Sequence, residues 1–412
     1  MSKPRTLHSV NAMRVLAEYW VVRHHCLEAR GPAKFEVGPV GDDIMGFFFV
    51  MSGFVVMYRH EKTDFTSWES KRDFLVSRAR QVYPVFLLNL GFKIPSQIFL
   101  LFGDKHCWVD CLCPILQVFM LDGWAGCGWF FPLSGIAWFM SCIMWLWLAF
   151  PFVKDSIVDR LFGQQCPWRK MLAINLVWAL LFVFLWGFDL QTLAGVPILR
   201  CGEFLIGCGA ALALHRDSPK CLAGNRFWLP FFCVLLVYLL EKTDHGLAWV
   251  CLRERLQHES CTLWQSGQPQ FSGIEPPCIT LAEKIPNKSA LIFAATLYGL
   301  GRAELADDGT VWFVGVLQAD VFKVLGSFSL MLYLSHTSMS CVVKWIAPHV
   351  FGWPVAELHD DIMLFWIYVL SYLLHLAFVR AMTFKREVPT QEETEPIIVE
   401  TVLESGLEDT PE

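Results

Sequence analysis

Residues 11–25 read "NAMRVLAEYWVVRHH". Arg14, Glu18, Arg23, His24 and His25 stand in a stretch that is otherwise apolar. A guanidinium can grip a phosphate or polarise a carbonyl. An imidazole, with an ordinary pKa of about 6.5, can take a proton from a hydroxyl and give it back. A carboxylate can orient or neutralise either group. At about 100° per residue, eleven residues return to within about 20° of the starting direction. Arg14 and His25 therefore share one helix face, about 16 Å apart along the axis. Glu18 lies about 40° from that face, Arg23 points the opposite way and His24 projects to the side. Charged side chains at bilayer depth cost roughly 2.5–3.5 kcal/mol each. Two readings stay open: a structural Arg14–Glu18 pair with His25 at the headgroup level, or a polar stripe facing a cavity.

The elements that must position these groups follow from composition. The chain has 412 residues, 55% of them hydrophobic and 17% charged, against about 25% charged in a typical soluble domain. The apolar residues are clustered, as in an all-α, polytopic transmembrane bundle. Spans need about 20 apolar residues. About ten candidates meet or approach that length: 10–29, 42–58, 81–103, 133–153, 171–188, 196–214, 227–240, 289–301, 318–345 and 361–382. Residues 1–9 are short and basic, and the first span is expected to be retained rather than cleaved. Lys and Arg concentrate in one alternating set of connections, which puts both termini in the cytosol. Residues 10–382 form the expected membrane domain, and 383–412 an acidic, disordered cytosolic tail. The net charge of −6 comes with that tail and suggests no nucleic-acid partner. Cys107, Cys111, Cys113 and Cys127 fall in one non-cytosolic connection, and Cys251, Cys261 and Cys278 in another. That compartment permits disulfides, which are favoured over a metal site. Asn287 begins an "NKS" sequon on the same side.

Several stretches resemble one known family. "RVLAEYWVVRHH" is similar to the R-x10-H signature in the first helix of the acyltransferase-3 family of membrane acyltransferases. "FFFVMSGFVVMYRH", "FLVSRARQVYPVFLL", "PILRCGEFLIGCGAALAL" and "LGSFSLMLYLSHTSM" resemble later family stretches, in family order. There are two departures. Gln81 replaces the second motif Arg, with Arg78 kept and Arg80 one residue early. "WFMSCI" puts Ile143 where many members carry Glu.

The resemblance implies transfer of an acyl group from cytosolic acyl-coenzyme A to a hydroxyl, often on a carbohydrate. It casts His25 as base, with Arg14 toward the donor and Glu18 orienting one of them. Arg78 and Arg80, with Tyr83 in the "VYP" that follows, become candidate donor-binding residues; their alternative is the ordinary cytosolic collar. Ser329, Tyr333, His336 and Ser340 share one polar face at i, i+4, i+7 and i+11, as a site wall or as helix-to-helix glue. Arg200 and Glu203, three apart, are expected to pair, with a contribution to the cavity. The expected reactants are acyl-coenzyme A, with acetyl as the acyl group, and a hydroxyl-bearing glycan or lipid-linked acceptor. Lipid surrounds the protein in an endomembrane or the plasma membrane, and no metal is expected. The competing functions are a polytopic transporter and a catalytically inactive scaffold; Ile143 supports the latter.

Overall fold

A computed structural model of the chain describes residues 5–28, 40–101, 108–125, 136–163, 167–187, 196–216, 289–306, 312–352 and 360–387. Every regular element among these residues is helical. The helices are α1 (His8–Glu28), α2 (Val40–His60), α3 (Trp68–Leu101), α4 (Trp108–Val118), α5 (Asp122–Ala125), α6 (Ala137–Val153) and α7 (Asp159–Phe162). They continue as α8 (Pro167–Gly187), α9 (Pro197–Arg216), α10 (Ala290–Ala306), α11 (Trp312–Leu317), α12 (Asp320–Ser327), α13 (Ser329–Val350) and α14 (Asp360–Glu387). Among the described residues, three stretches are long and apolar enough to cross a membrane: Ala137–Ser156, Pro197–Arg216 and Asp361–Ala381. Helix α8 turns Leu172, Leu176, Leu180 and Phe184 outward, a row about one turn apart that suits a lipid-facing side.

Three expectations change. The apolar run at 318–345 is two helices rather than one. It breaks at Phe328, whose backbone (φ −111°, ψ 9°) leaves the helical region. Hydropathy runs straight through that break and cannot reveal it. The span expected at 81–103 is the later part of a longer helix, because the polar "WESKRDFLVSRAR" also coils into α3. The connection expected at 104–132 contains α4 and α5. The span at 227–240, Asn287, Cys107, Cys127 and the three cysteines of the 241–288 connection lie outside the described residues, as do the side chains of Cys111 and Cys113.

Helices α2 and α9 cross backbone to backbone. A Cβ at Gly53 would meet the Phe204 carbonyl oxygen at 2.0 Å, and one at Gly207 would meet that of Val50 at 1.9 Å. The Cys208 thiol donates to the Gly53 carbonyl at 3.4 Å. Small residues drive such crossings because lipid offers no hydrophobic incentive for helices to associate. Helix α1 packs against α2, α10, α12 and α13, and α3 packs against α6 and α13.

The glycine crossing generates a stability prediction. Gly207→Val forces two backbones apart and should cost at least the roughly 1–3 kcal/mol of ordinary overpacking. Gly91→Ala in α3, with nothing within 4 Å of the added carbon, should be neutral or slightly stabilising. Size-exclusion profiles and thermal midpoints of the two variants in detergent check this; equal behaviour would refute the close crossing.

Candidate functional site

The position of α1 is set at its first turn. The Glu304 carboxylate of α10 accepts from the His8 backbone N–H (2.7 Å), the Ser9 backbone N–H (2.9 Å) and the Ser9 hydroxyl (2.6 Å). A buried carboxylate thus caps the helix from another helix, where orphan N–H groups and the helix dipole both favour an anion.

One turn further, α1 grips α12. Arg14 Nη2 donates to the Gly326 carbonyl at 2.7 Å and to the Asn11 side-chain oxygen. Asn11 Nδ2 in turn reaches the Phe322 carbonyl at 3.4 Å. The approach at Gly326 is close: a Cβ would fall 2.1 Å from Asn11 Nδ2, so Asn11 would have to shift away from it. Arg14 Nε stays buried without a hydrogen-bond partner. Arg14 therefore makes no direct ion pair with Glu18, which is buried and faces Ser329 and the Tyr333 backbone. Glu18 Oε1 has no hydrogen-bond partner.

Two turns above, the His25 ring stacks on His336, with centroids 5.2 Å apart and planes 27° from parallel. His336 is fully buried. Its Nδ1 lies 2.6 Å from the Tyr333 carbonyl. A carbonyl only accepts, so Nδ1 carries the proton and Nε2 keeps a lone pair. That Nε2 is buried without a hydrogen-bond partner. Glu18 and His25 are seven residues apart, as are Ser329 and His336. Seven residues rise about 10 Å, so α1 and α13 run side by side in step, one contact at each end of the interval.

Sequence reasoning missed the third wall. Lys93 of α3 donates to the Thr337 hydroxyl at 2.6 Å and lies within electrostatic reach of His336. Asn89, one turn earlier, is buried and donates to the Val85 carbonyl at 2.9 Å, leaving its own oxygen unpartnered. A lysine and an asparagine four apart in an apolar helix were the available signal.

Other predicted residues fall elsewhere. Arg200 and Glu203 form a fully buried pair at 3.2 Å, and the guanidinium lies over the rings of Phe49 (5.3 Å) and Trp138 (5.6 Å). Tyr333 is buried against Phe48 and Phe139, with its hydroxyl 3.5 Å from the Ile136 carbonyl. Ser329 and Ser340 are buried on α13. Tyr83 donates to the Val118 carbonyl at 2.8 Å, tying α3 to α4. Arg78 lies over Phe74 and Trp147, 5.3 Å from each ring centroid, whereas Arg80 is exposed. Arg23 points to Tyr19 and Trp20, and the His24 side chain lies outside the description. Ile143 is a buried core residue. Its neighbour Ser141 donates to the Met120 carbonyl at 2.6 Å, joined by Trp145 Nε1 at 2.9 Å. These bonds hold the turn in which Met120 adopts φ 54°. Among the described residues no group of three or more His, Cys, Asp or Glu could hold a metal ion.

Chemically, the junction of α1, α3 and α13 offers one imidazole with a fixed tautomer and a bare nitrogen, a second imidazole stacked on it, and a nearby ammonium. These are the parts for removing a proton from a hydroxyl and stabilising negative charge beside it. The site depends on α1 staying in place along its axis. Glu304→Ala leaves three donors of the first turn without their acceptor, and should cost about 0.5–2 kcal/mol or more. Thermal denaturation of the purified variant measures this; an unchanged midpoint would mean that the cap does not hold α1.

No curated protein and no solved structure matches the chain. A family model does: residues 7–383 match the one described as an acyltransferase domain. The match runs from just before α1 into the last turns of α14 and contains the whole histidine junction. By that match, the chain belongs to the acyltransferase-3 family of membrane acyltransferases.

Proposed function

We propose that the protein is a multi-pass membrane O-acyltransferase that moves an acyl group, acetyl in the simplest case, from cytosolic acyl-coenzyme A to a hydroxyl of a carbohydrate or lipid-linked acceptor. The observation that carries this reading is His336: its Nδ1 proton faces a backbone carbonyl, and its buried Nε2 lone pair has no partner beside His25. Nε2 takes the proton of the acceptor hydroxyl as the oxygen attacks the thioester carbonyl carbon. The new C–O bond forms, the carbonyl π pair moves onto oxygen, and Lys93 lies near enough to His336 to support that charge. The C–S bond then breaks, and the imidazolium returns its proton to the departing thiolate. His25 flanks the reacting imidazole. Arg14, about three turns below toward the proposed cytosolic mouth, already serves the end of α12 and keeps Nε for the donor.

This reading moves the base from His25, the residue favoured by spacing, to its stacking partner. His336→Ala should lower turnover by roughly 10²–10⁴, the usual contribution of a positioned base, with donor affinity near normal. His25→Ala should lower turnover less, and His24→Ala little, since helical period sets position 24 about 100° around from position 25. Release of free thiol from acyl-coenzyme A, with and without an acceptor sugar, reads all three. Full activity in His336→Ala with loss in His25→Ala would return the base to α1. A wild-type protein that releases no thiol and transfers no label would favour the transporter or scaffold.

A further inference from the structure

We propose that Phe48, Phe139 and Tyr333, one ring from each of α2, α6 and α13, set the length of the acyl group that the site accepts and restrict it to the shortest chains. This rests on the acyl-transfer reading above and names what determines the size of the group transferred.

An acyl group brings its carbon chain in beside the base, and an apolar chain needs an apolar wall. Two sides of His336 are polar. The His25 imidazole stacks on its ring at 5.2 Å. On the α3 side, Lys93 donates to the Thr337 hydroxyl at 2.6 Å. The apolar side is Tyr333, whose ring centroid lies 6.0 Å from that of His336, with the planes 58° apart. Phe139 and Phe48 pack on Tyr333 at 5.2 and 6.2 Å, and stand 5.8 Å from each other. The three rings close a triangle at the separations aromatic pairs prefer. All three are buried.

A chain longer than acetyl would have to push into that triangle, which has little freedom to yield. Behind Phe139 lies Phe49 at 5.1 Å, fully buried and covered by the Arg200 guanidinium at 5.3 Å. Behind Phe48 lies Phe47 at 5.8 Å, which packs on Phe293 of α10 at 5.3 Å. The backbone that carries Phe48 is held as well. Two residues on, the Val50 carbonyl meets α9 so closely that a Cβ at Gly207 would fall 1.9 Å from its oxygen. An interior packed in this way resists even one added methylene.

The test measures free-thiol release from acetyl-, propionyl- and butyryl-coenzyme A by the full-length protein in detergent, compared as kcat/KM. In the wild type, kcat/KM should fall about 10-fold or more at the first added methylene and further at the second. Phe139→Ala should raise the butyryl-to-acetyl ratio about 10- to 200-fold, the range that methylenes in an apolar pocket command. Phe48→Leu, a milder change, should raise it in the same direction by less, and it keeps the test decisive if Phe139→Ala does not fold. Phe54→Ala is the control. It makes a similar truncation on α2 about 9 Å further along, where the ring stacks on Tyr58 at 6.2 Å, and it should leave the ratio at the wild-type value. A wild-type protein that uses butyryl-coenzyme A as well as acetyl-coenzyme A overturns the proposal and leaves the acyl-transfer reading standing. Folded Phe139→Ala and Phe48→Leu proteins with the wild-type ratio also overturn it, since rings that only fill the core have no influence on donor choice. An equal shift in Phe54→Ala overturns it too, by assigning the effect to general loosening. A wild-type protein that releases thiol from none of the donors overturns the acyl-transfer reading, and the proposal falls with it.

Discussion

Where α12 stops at Ser327, its last carbonyls lose their helical donors, and in an apolar bundle water does not replace them. Arg14 of α1 takes over at Gly326, and Asn11 reaches the Phe322 carbonyl one turn earlier. Much of the site geometry follows from that contact. It allows the chain to break at Phe328 and restart as α13 beside α1. Ser329 then meets Glu18, and seven residues later on both helices His336 meets His25. Arg14, which the resemblance turns toward the donor, is thus in the fold a structural clamp. A guanidinium has several donors, and Arg14 spends only one nitrogen on the clamp.

The face of α1 was legible because helical period alone puts Arg14, Glu18 and His25 on one side. What answers that face was not. Period gives direction but no partner, so the direct Arg14–Glu18 pair, one of the two open readings, gives way to a backbone carbonyl more than 300 residues away. The polar face of α13 was legible for the same reason. The matching seven-residue intervals, Glu18 to His25 and Ser329 to His336, were present in the sequence as a pairing signal that reading one helix at a time does not use. Lys93 and Asn89 were hidden inside a span judged only by its mean hydropathy. The break at Phe328 was hidden because apolar residues continue on both sides; Gly326, which accepts the close approach of Asn11, was its one local mark.

Charge in this bundle falls into two kinds. Arg200 and Glu203 satisfy each other between aromatic rings, and Lys154 is matched by two aspartates. These are closed arrangements, and breaking one would leave an uncompensated charge at a cost of several kcal/mol when buried, roughly 3–5. Arg78, which lies over Phe74 and Trp147 and has no carboxylate partner among the described residues, is an open one. Both kinds look alike in the sequence, as arginines near the ends of apolar helices. Only three-dimensional pairing tells which charges the fold has already used, and so which remain for a ligand.

The same distinction applies to the two imidazoles. A hydroxyl acceptor gives up one proton, and a thiolate leaving group takes one, so the site must hold a single proton between those events. Under the acyl-transfer reading, His336 suits that task by what it cannot do. Its Nδ1 is committed to the Tyr333 carbonyl and cannot exchange roles with Nε2 without losing a hydrogen bond inside the bundle. His25, stacked at 5.2 Å, presents a polarisable ring to the imidazolium but makes a second positive charge on the pair unfavourable. Under the acyl-transfer reading, stacking therefore favours no more than one added proton on the pair, and the carbonyl determines that Nε2 of His336 exchanges it.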